Sequence, residues 1–303
     1  MLETLETYST LALYSALIIY SIAFVFYAVD LANRSSDAAI AAAEAGQNSR
    51  SRALRIGFSL TVLGWVAHFA ATLLRGIAAE RVPWANMYEF ALLAMLAIVL
   101  LFLVAQFFVD IRFLGTLITG MAVLFLGVAK INYYVPIVPL PPALDSYWLI
   151  IHIIVASLAV GFFALSFGLS IMQLLQRRRE VAAATPEGGR SSLRFMTTLP
   201  NSDRLEDISY RMAILGFVFW TFTLIAGSIW AEHAWGRYWG WDTKEVWTFV
   251  IWVLYAGYIH ARATRGWRGN RSAWLSIIAF LAVVFNFTIV NVFFEGLHAY
   301  SGL

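Results

Sequence analysis

The 303-residue sequence contains no cysteine and few charged residues. Without cysteine, the chain forms no disulfide, holds no metal through thiolates and has no thiol redox chemistry of its own. Only 13% of the residues are charged, whereas 61% are hydrophobic. A soluble domain of this length could not cover so much apolar surface with so few charges. The composition therefore predicts an integral membrane protein.

The sequence also lacks a basic N-terminal region and a large net charge. The first eight residues carry Glu3 and Glu6 but no basic residue, so they lack the positive start of a cleavable signal peptide. We therefore expect the first apolar segment to remain in the protein as a membrane span. The net charge is only +3, and the basic residues are distributed between the loops as expected for a membrane protein. We therefore expect no nucleic-acid partner.

Apolar segments long enough to cross a bilayer recur along the whole chain. A spanning helix needs about 20 mostly apolar residues. Eight such segments are predicted, at about 9–30, 55–75, 87–109, 112–130, 148–174, 210–231, 245–262 and 272–294. We expect an all-α polytopic membrane protein with about eight transmembrane helices, in which residues 1–303 form a single domain. Polar linkers are expected at about 31–54 and 175–208.

The basic residues predict the orientation of these spans in the membrane. If the N-terminus is placed outside, 16 of the 21 lysines and arginines fall in the inner loops. Cytoplasmic loops are enriched in lysine and arginine, so this arrangement is favoured. Both termini are then extracytoplasmic, and the two linkers are cytoplasmic. The loop at about 231–247, here called the tryptophan loop, is then also extracytoplasmic.

The tryptophan loop is the most distinctive segment. Five of its last thirteen residues are aromatic and are separated by glycines: Trp235, Tyr238, Trp239, Trp241 and Trp247. Flat aromatic faces suit a flat, polarizable ligand. The alternative is an aromatic belt at the membrane surface. If the turn is helical, Trp235 and Trp239 are expected to stack on one side.

Charged residues in the tryptophan loop predict its local order and a way to hold a ligand. Asp242 and Glu245 have the spacing of a capping box, so a helix is expected to begin near Thr243. Arg237 and Lys244 are candidates to pair with carboxylates on the edge of a ligand. The alternative is that both are interfacial charges that reach toward water.

Two of the five histidines are predicted to lie at the same membrane surface as the tryptophan loop. His152 is one turn inside the outer end of the fifth span, and His298 follows the outer end of the eighth. Two imidazoles beside an aromatic platform are candidates for the axial ligands of a haem iron. The alternative is two unrelated interfacial histidines.

The other polar groups near the spans have different expected roles. His260 lies near the inner end of the seventh span, where an ionisable residue indicates a functional site. His68 is expected to bond to a neighbouring helix, and His233 to be a loop residue. Glu89 is a candidate to hydrogen-bond and orient a histidine that ligates a metal. The alternative is a structural pair with Arg75 or Arg81.

The pattern Trp-Gly-x-Tyr-Trp-x-Trp-Asp-x-Lys-Glu-x-Trp at 235–247 resembles the signature of the haem-handling WWD superfamily. The whole chain resembles the CcsA-type cytochrome c biogenesis proteins, also called ResC or, in actinobacteria, CcsB. The resemblance covers the eight-span layout and the segments 83–89, 146–152, 255–260 and 296–300. One departure is Thr243, where the family often has proline, and no loss of function is expected from it.

The resemblance implies roles for the candidate residues. His152 and His298 would be external ligands of haem b, which is a transported substrate, and the tryptophan loop, including Asp242 and Arg237, would hold the porphyrin. His260 would be one ligand of a haem within the membrane, and the second ligand would come from a ResB/Ccs1-type partner protein.

The resemblance also implies a process and a location. The expected process is cytochrome c maturation by system II, in which haem is presented at the outer face for attachment to the CxxCH segment of apocytochrome c. The chain would then be a subunit of a holocytochrome c synthase in the bacterial plasma membrane, or in the thylakoid membrane if plastid-encoded, and other proteins would keep the thiols reduced. The alternatives are a haem exporter or chaperone without ligation activity, and a membrane protein without a haem role.

Overall fold

The computed structural model of the chain describes residues 2–44, 51–138, 140, 144–184 and 193–298. Within these ranges the regular secondary structure is helical. The α-helices are α1 Leu2–Asn33, α2 Asp37–Glu44, α3 Arg52–Ala78, α4 Met87–Ala105, α5 Gly115–Asn132, α6 Tyr147–Ala183, α7 Ser202–Trp235, α8 Thr243–Arg265, α9 Asn270–Phe287 and α10 Ile289–Phe293. Short 3-10 turns at Arg112–Leu114 and Arg194–Thr198 precede α5 and α7.

The predicted all-α polytopic membrane fold is confirmed. In the described ranges, seven helical segments are long and apolar enough to cross a membrane, namely α1, α3, α4, α5, α6, α7 and the segment that contains α9 and α10. α8 spans 23 residues but is not among them, because charges lie near its ends and tryptophan, tyrosine and histidine lower its hydropathy. The count of eight spans and the orientation of the termini remain predictions.

Several helix bounds differ from the predicted spans. α1 begins at Leu2 instead of near residue 9, and α6 continues to Ala183 instead of ending near 174. The extension of α6 carries glutamine, arginine, glutamate and alanine, which favour helix even outside a membrane. The first linker contains α2, and Asn201 caps the start of α7. Residues 45–50 and 185–192 of the linkers and residues 299–303 lie outside the described residues.

α6 is the central helix that joins α7, α8 and α9. Phe163 of α6 stacks on Tyr255 of α8, with the ring centroids 3.6 Å apart. The Ser166 hydroxyl forms hydrogen bonds with Ser209 of α7 (2.9 Å) and Ser276 of α9 (3.0 Å). Small and hydroxyl-bearing residues allow close helix packing inside a membrane. These contacts fix the four helices whose ends carry the candidate site.

A buried ion-pair cluster joins the ends of α1, α3 and α4. The carboxylate of Glu89 accepts hydrogen bonds from Arg75 Nε (3.0 Å), Arg81 Nη1 (2.8 Å) and the backbone N–H of Ala85 (2.8 Å). Arg75 also pairs with Glu6 of α1 at 3.1 Å. The sequence alternative of a structural pair with Arg75 or Arg81 is therefore confirmed for Glu89.

Replacing Glu89 by glutamine should destabilise the protein strongly. Arg75 is 1% exposed and Glu89 is fully buried, so Glu89→Gln leaves a buried guanidinium without its main counter-charge. Breaking a buried pair from one side costs about 3–5 kcal/mol. The measurement is thermal unfolding of the purified protein in detergent. Asp37→Asn is the control, because Asp37 is 87% exposed in its pair with Arg194. Equal midpoints for the two variants would contradict this account.

Candidate functional site

The tryptophan loop is ordered by hydrogen bonds at both of its ends. The chain leaves α7 through Gly236, whose φ of 69° is a left-handed conformation that favours glycine. Asp242 accepts the backbone N–H of Glu245 (2.9 Å), and Glu245 accepts the N–H groups of Asp242 (3.2 Å) and Gly240 (2.7 Å). The predicted capping box and helix start are therefore confirmed, and Thr243 leaves the cap intact.

The second carboxylate oxygen of Asp242 holds His298. Nδ1 of His298 lies 2.6 Å from Oδ2 of Asp242. Because an ionised carboxylate only accepts hydrogen bonds, Nδ1 carries the proton and donates it. Nε2 of His298 is then the ring nitrogen with the free lone pair. One carboxylate thus fixes the start of α8 and the ring of a histidine 56 residues further along the chain.

His152 is held in the same way by the backbone of α7. Its Nδ1 lies 2.9 Å from the carbonyl oxygen of Thr223, which can only accept a hydrogen bond, so Nδ1–H is the donor. One turn further along α7, Gly227 makes room for the imidazole. A Cβ at position 227 would lie 2.7 Å from Nδ1 of His152. The lone pair of Nε2 is again left for another partner.

Trp230 brings the two histidines into one cluster. Its ring centroid lies 6.0 Å from that of His152, in a stacked arrangement, and 5.5 Å from that of His298, edge to face. Trp235 contacts His298 (4.7 Å) and Trp230 (4.8 Å). Sequence reasoning missed Trp230. The signal was the spacing of Thr223, Gly227 and Trp230, which places all three on one face of α7.

Both imidazoles line a single largely apolar cavity, here called the histidine pocket. Helices α4, α6, α7, α8 and α9 supply its walls. The polar or aromatic lining residues are Phe90, His152, Ser157, Trp220, Thr223, Ser228, Trp230, Tyr238, Trp239, Lys244, Glu245, Thr248, Asn286, Phe287, Asn291 and His298. Binding sites for small molecules commonly combine apolar walls with a few placed polar groups. The pocket therefore combines apolar walls with two imidazoles that can face a bound ligand.

Lys244 adds a cation to this pocket. Its Nζ donates to the carbonyl oxygen of Asn286 and to Oδ1 of Asn291, both at 2.8 Å. Both partners are neutral, and burial lowers the pKa of Lys244 to about 7, although the negative charge of Asp242 favours the protonated form. The amine is therefore protonated most readily when an anionic group lies beside it. An ammonium in an apolar pocket attracts an anionic group of a ligand. The two asparagines were not expected at the pocket from the sequence.

The loop aromatics are divided between several environments. Tyr238 and Trp239 line the histidine pocket. Trp241 packs edge to face on Trp239 and is 72% exposed, and Trp247 packs against Phe285 in the core. Stacking of Trp235 on Trp239 was expected only for a helical turn, and the turn is not helical. The chain turns at Gly236 and does not continue as a helix, so Trp235 faces Trp230 and His298 instead.

Arg237 points back onto the loop. Its Nη1 lies 3.4 Å from Oε1 of Glu245, and its guanidinium lies 6.0 Å from the ring centroid of Trp235. The guanidinium occupies the space that a side chain at Gly240 would need. Arg237 thus packs within the loop in this structure and is not among the residues that line the pocket.

The other three histidines lie apart from the histidine pocket. His260 is an exposed residue of α8, about 27 Å along the helix axis from Asp242. His68 is buried on α3 and packs edge to face against Tyr20 of α1, with centroids 6.2 Å apart. His233 was expected in a loop but lies in the last turn of α7, where it is exposed and its Nδ1 lies 2.9 Å from the carbonyl oxygen of Ile229.

The ionised state of the Asp242 carboxylate supports this geometry at neutral pH. Burial raises the pKa of the Asp242 carboxyl, but the hydrogen bonds from His298 and the backbone outweigh burial and hold the pKa below its ordinary value. The stabilisation is therefore present at neutral pH and lost only when the pH falls through the lowered pKa. Asp242, Glu245 and His298 also offer ligand atoms within 4.8 Å of one another, but the cap hydrogen bonds already use these carboxylates.

Taken together, the fold and the pocket define an all-helical polytopic membrane protein with a two-histidine aromatic site at one end of its helices. The model of the family described as cytochrome c assembly protein matches residues 84–298. The chain belongs to this family. The match includes His152, the tryptophan loop and His298.

Several known proteins are similar to this chain. CcsA, the cytochrome c biogenesis protein of Trieres chinensis, is 31% identical, with 76% of this chain and 81% of the relative covered. CcsA of Picosynechococcus sp. (strain ATCC 27264 / PCC 7002 / PR-6) is 32% identical, with 76% and 84% covered. The solved structure of the cytochrome c haem lyase CcmF shares the fold, with a TM-score of 0.65 at 18% identity. That match covers 93% of this chain and 46% of CcmF.

Replacing Asp242 by asparagine should separate its two roles. Asparagine is also a good N-cap, so the start of α8 should persist. Its amide can turn N–H groups toward His298, which favours the tautomer with the proton on Nε2. We expect ¹⁵N NMR of histidine-labelled protein to show the proton of His298 moving from Nδ1 to Nε2. Asp203→Asn, in the exposed first turn of α7, should leave the signals of His298 unchanged. An unchanged His298 tautomer in Asp242→Asn would contradict the assigned role.

Proposed function

We propose that the histidine pocket binds haem b as a substrate of cytochrome c maturation, with His152 and His298 as the axial ligands of the iron. The observation that carries the proposal is the matched anchoring of the two rings, because each is held at Nδ1 and offers Nε2. Histidines that ligate metals are commonly oriented by such a second hydrogen bond. Two imidazoles would fill both axial positions and leave no open position for dioxygen.

The pocket walls also suit a porphyrin. Trp230 and Trp239 offer flat apolar faces, and Lys244 offers a charge for a ring carboxylate. The exposed Tyr238 and Trp241 would cover the outer edge of the ring. Trp235, Arg237, Asp242 and Trp247 contribute by holding the loop and His298 in place.

His260 serves a second haem position on the way to the pocket. It is exposed on α8 toward the end of the helix opposite to the pocket. In this proposal haem enters from the cytoplasmic side, His260 supplies one ligand, and a ResB/Ccs1-type partner supplies the other. The histidine pocket then lies on the extracytoplasmic face of the plasma membrane, or of the thylakoid membrane in a plastid.

The proposed reaction is the attachment of haem to an apocytochrome c by system II. The histidine of the CxxCH segment replaces one axial imidazole. Each cysteine S–H adds across one vinyl group, so a C–S bond forms and the hydrogen goes to the other vinyl carbon, with no oxidant or reductant consumed. The protein contributes positioning, which can be worth several kcal/mol. Because the chain has no cysteine, other proteins must keep the thiols reduced.

Removing the two imidazoles should abolish haem binding in the pocket. His152→Ala and His298→Ala should each lose the bis-histidine spectrum and lower the yield of holocytochrome at least tenfold, because one axial bond is lost. Added imidazole should restore the spectrum. His233→Ala is the control, since His233 does not line the pocket. A full yield of holocytochrome from the double alanine variant would refute the proposal.

Lys244→Met should weaken haem binding through the loss of one charged contact. A hydrogen bond to a charged group contributes about 1.5–3 kcal/mol, so the Kd should rise by roughly tenfold to a hundredfold. The control is a haem analogue whose carboxylates are methyl esters. The substitution should not affect the binding of this ester. An equal loss of affinity for both ligands would show that Lys244 acts on the fold alone.

A haem exporter or chaperone without ligation activity is the second candidate, because two histidine ligands and apolar walls would serve to carry haem as well as to position it. Reconstitution of the chain with the partner protein and an apocytochrome peptide separates the two functions. Thioether formation supports the synthase, whereas transfer of haem without a thioether supports the exporter.

A further inference from the structure

A second cavity lies at the other end of the helices, between the end of α6 and the turn that joins α8 to α9. It is lined by Arg177, Trp267, Arg268, Asn270 and Arg271, with Gly266 and Gly269. Along α6, Arg177 lies about 37 Å from His152. We call this cavity the arginine pocket. It is separate from the histidine pocket, and nothing in the proposed haem chemistry uses it.

The turn that forms the arginine pocket is fixed by buried polar groups. The N–H of Gly269 donates to Glu206 (2.8 Å), and its carbonyl accepts from Gln173 (3.0 Å). Both of these side chains are 2% exposed. Gly266, with φ of 58°, ends α8 in a left-handed conformation. The turn is therefore held against α6 and α7, so its arginines project from a fixed backbone.

The arginines of this pocket carry charge that the protein does not neutralise. Arg177, Arg268 and Arg271 are exposed. Among the residues that the structure describes, Arg177 and Arg271 form no ion pair, and Arg268 reaches Asp207 only at 4.0 Å. Asp207 already pairs with Arg262 at 2.5 Å. The positive charge is thus available to an anion from outside the chain.

The position of the arginine pocket restricts the source of that anion. Arg177 follows the apolar part of the long helix α6, so it stands where the helix leaves the membrane. Trp267 lies below the guanidinium of Arg271, which is 5.6 Å from its ring centroid, and tryptophan favours the interfacial layer. The backbone N–H groups at the start of α9 also point to this end, where a helix attracts anions. A phosphate at this depth belongs most naturally to a lipid.

We propose that the arginine pocket binds the phosphate group of an anionic phospholipid from the adjoining leaflet. Guanidinium groups bind phosphate oxygens in pairs and keep their charge at any physiological pH. Basic pockets between transmembrane helices on the cytoplasmic side bind anionic headgroups in this way. The predicted orientation places the pocket on that side, since most lysines and arginines of the chain are predicted to lie there.

The test compares lipid retention by the full chain and two matched triple variants. In Arg177→Gln/Arg268→Gln/Arg271→Gln, the affinity for phosphatidylglycerol over phosphatidylcholine, measured by native mass spectrometry, should fall at least about tenfold. Arg178→Gln/Arg204→Gln/Arg211→Gln removes the same charge from exposed positions outside the pocket and should retain the lipid. Circular dichroism and the bound-haem spectrum report whether each variant is folded.

Three outcomes would overturn the proposal. Equal lipid loss in both folded triple variants would show an effect of net charge. Unchanged retention in the pocket variant would place the lipid elsewhere. Displacement of phosphatidylglycerol by millimolar inorganic phosphate would identify a free-anion site. Lipid selectivity that depends on the pocket arginines but persists in His152→Ala/His298→Ala would support this site independently of haem binding.

Discussion

The Asp242 carboxylate uses its two oxygens on two different parts of the chain. One oxygen accepts the backbone N–H of Glu245 in the first turn of α8, and the other accepts Nδ1–H of His298. The start of a helix and the orientation of a histidine are thereby set by one side chain, whose pKa is held below its ordinary value. The tryptophan loop, Glu245 and the ring of Trp235 are arranged around this contact. Together with the ring contacts of Trp230 and Trp235, it holds a residue beyond the end of α10 at the pocket.

His152 shows the same principle with a different acceptor. A backbone carbonyl of α7 takes the role that the carboxylate has for His298, and Gly227 supplies the space. Both histidines therefore present the same nitrogen, although they lie in different parts of the sequence, one near its middle and one near its end. The surrounding cavity is mostly apolar, which strengthens polar contacts with a bound ligand. The ion-pair cluster of Arg75 and Glu89 stabilises the start of α4, whose first turns form another wall of this cavity.

The features that depend on local sequence were predictable. Composition predicts a helical membrane protein, and the spacing of Asp242 and Glu245 predicts the start of α8. The convergence of His152 and His298 followed from topology, because both were placed at one membrane surface. Features that depend on tertiary contact were not predictable. The position of Trp230 between two histidine contacts, the separation of Trp235 from Trp239 and the anchoring of Lys244 by asparagines all require the packing of α7, α8 and α9.

An experimental structure of the chain with haem bound, solved by cryo-electron microscopy with its partner protein, tests the central claim most directly. The account predicts iron coordinated by Nε2 of His152 and Nε2 of His298, with both Nδ1 atoms still bonded to Thr223 and Asp242. Iron bound by other residues, or through Nδ1 of either histidine, would contradict it.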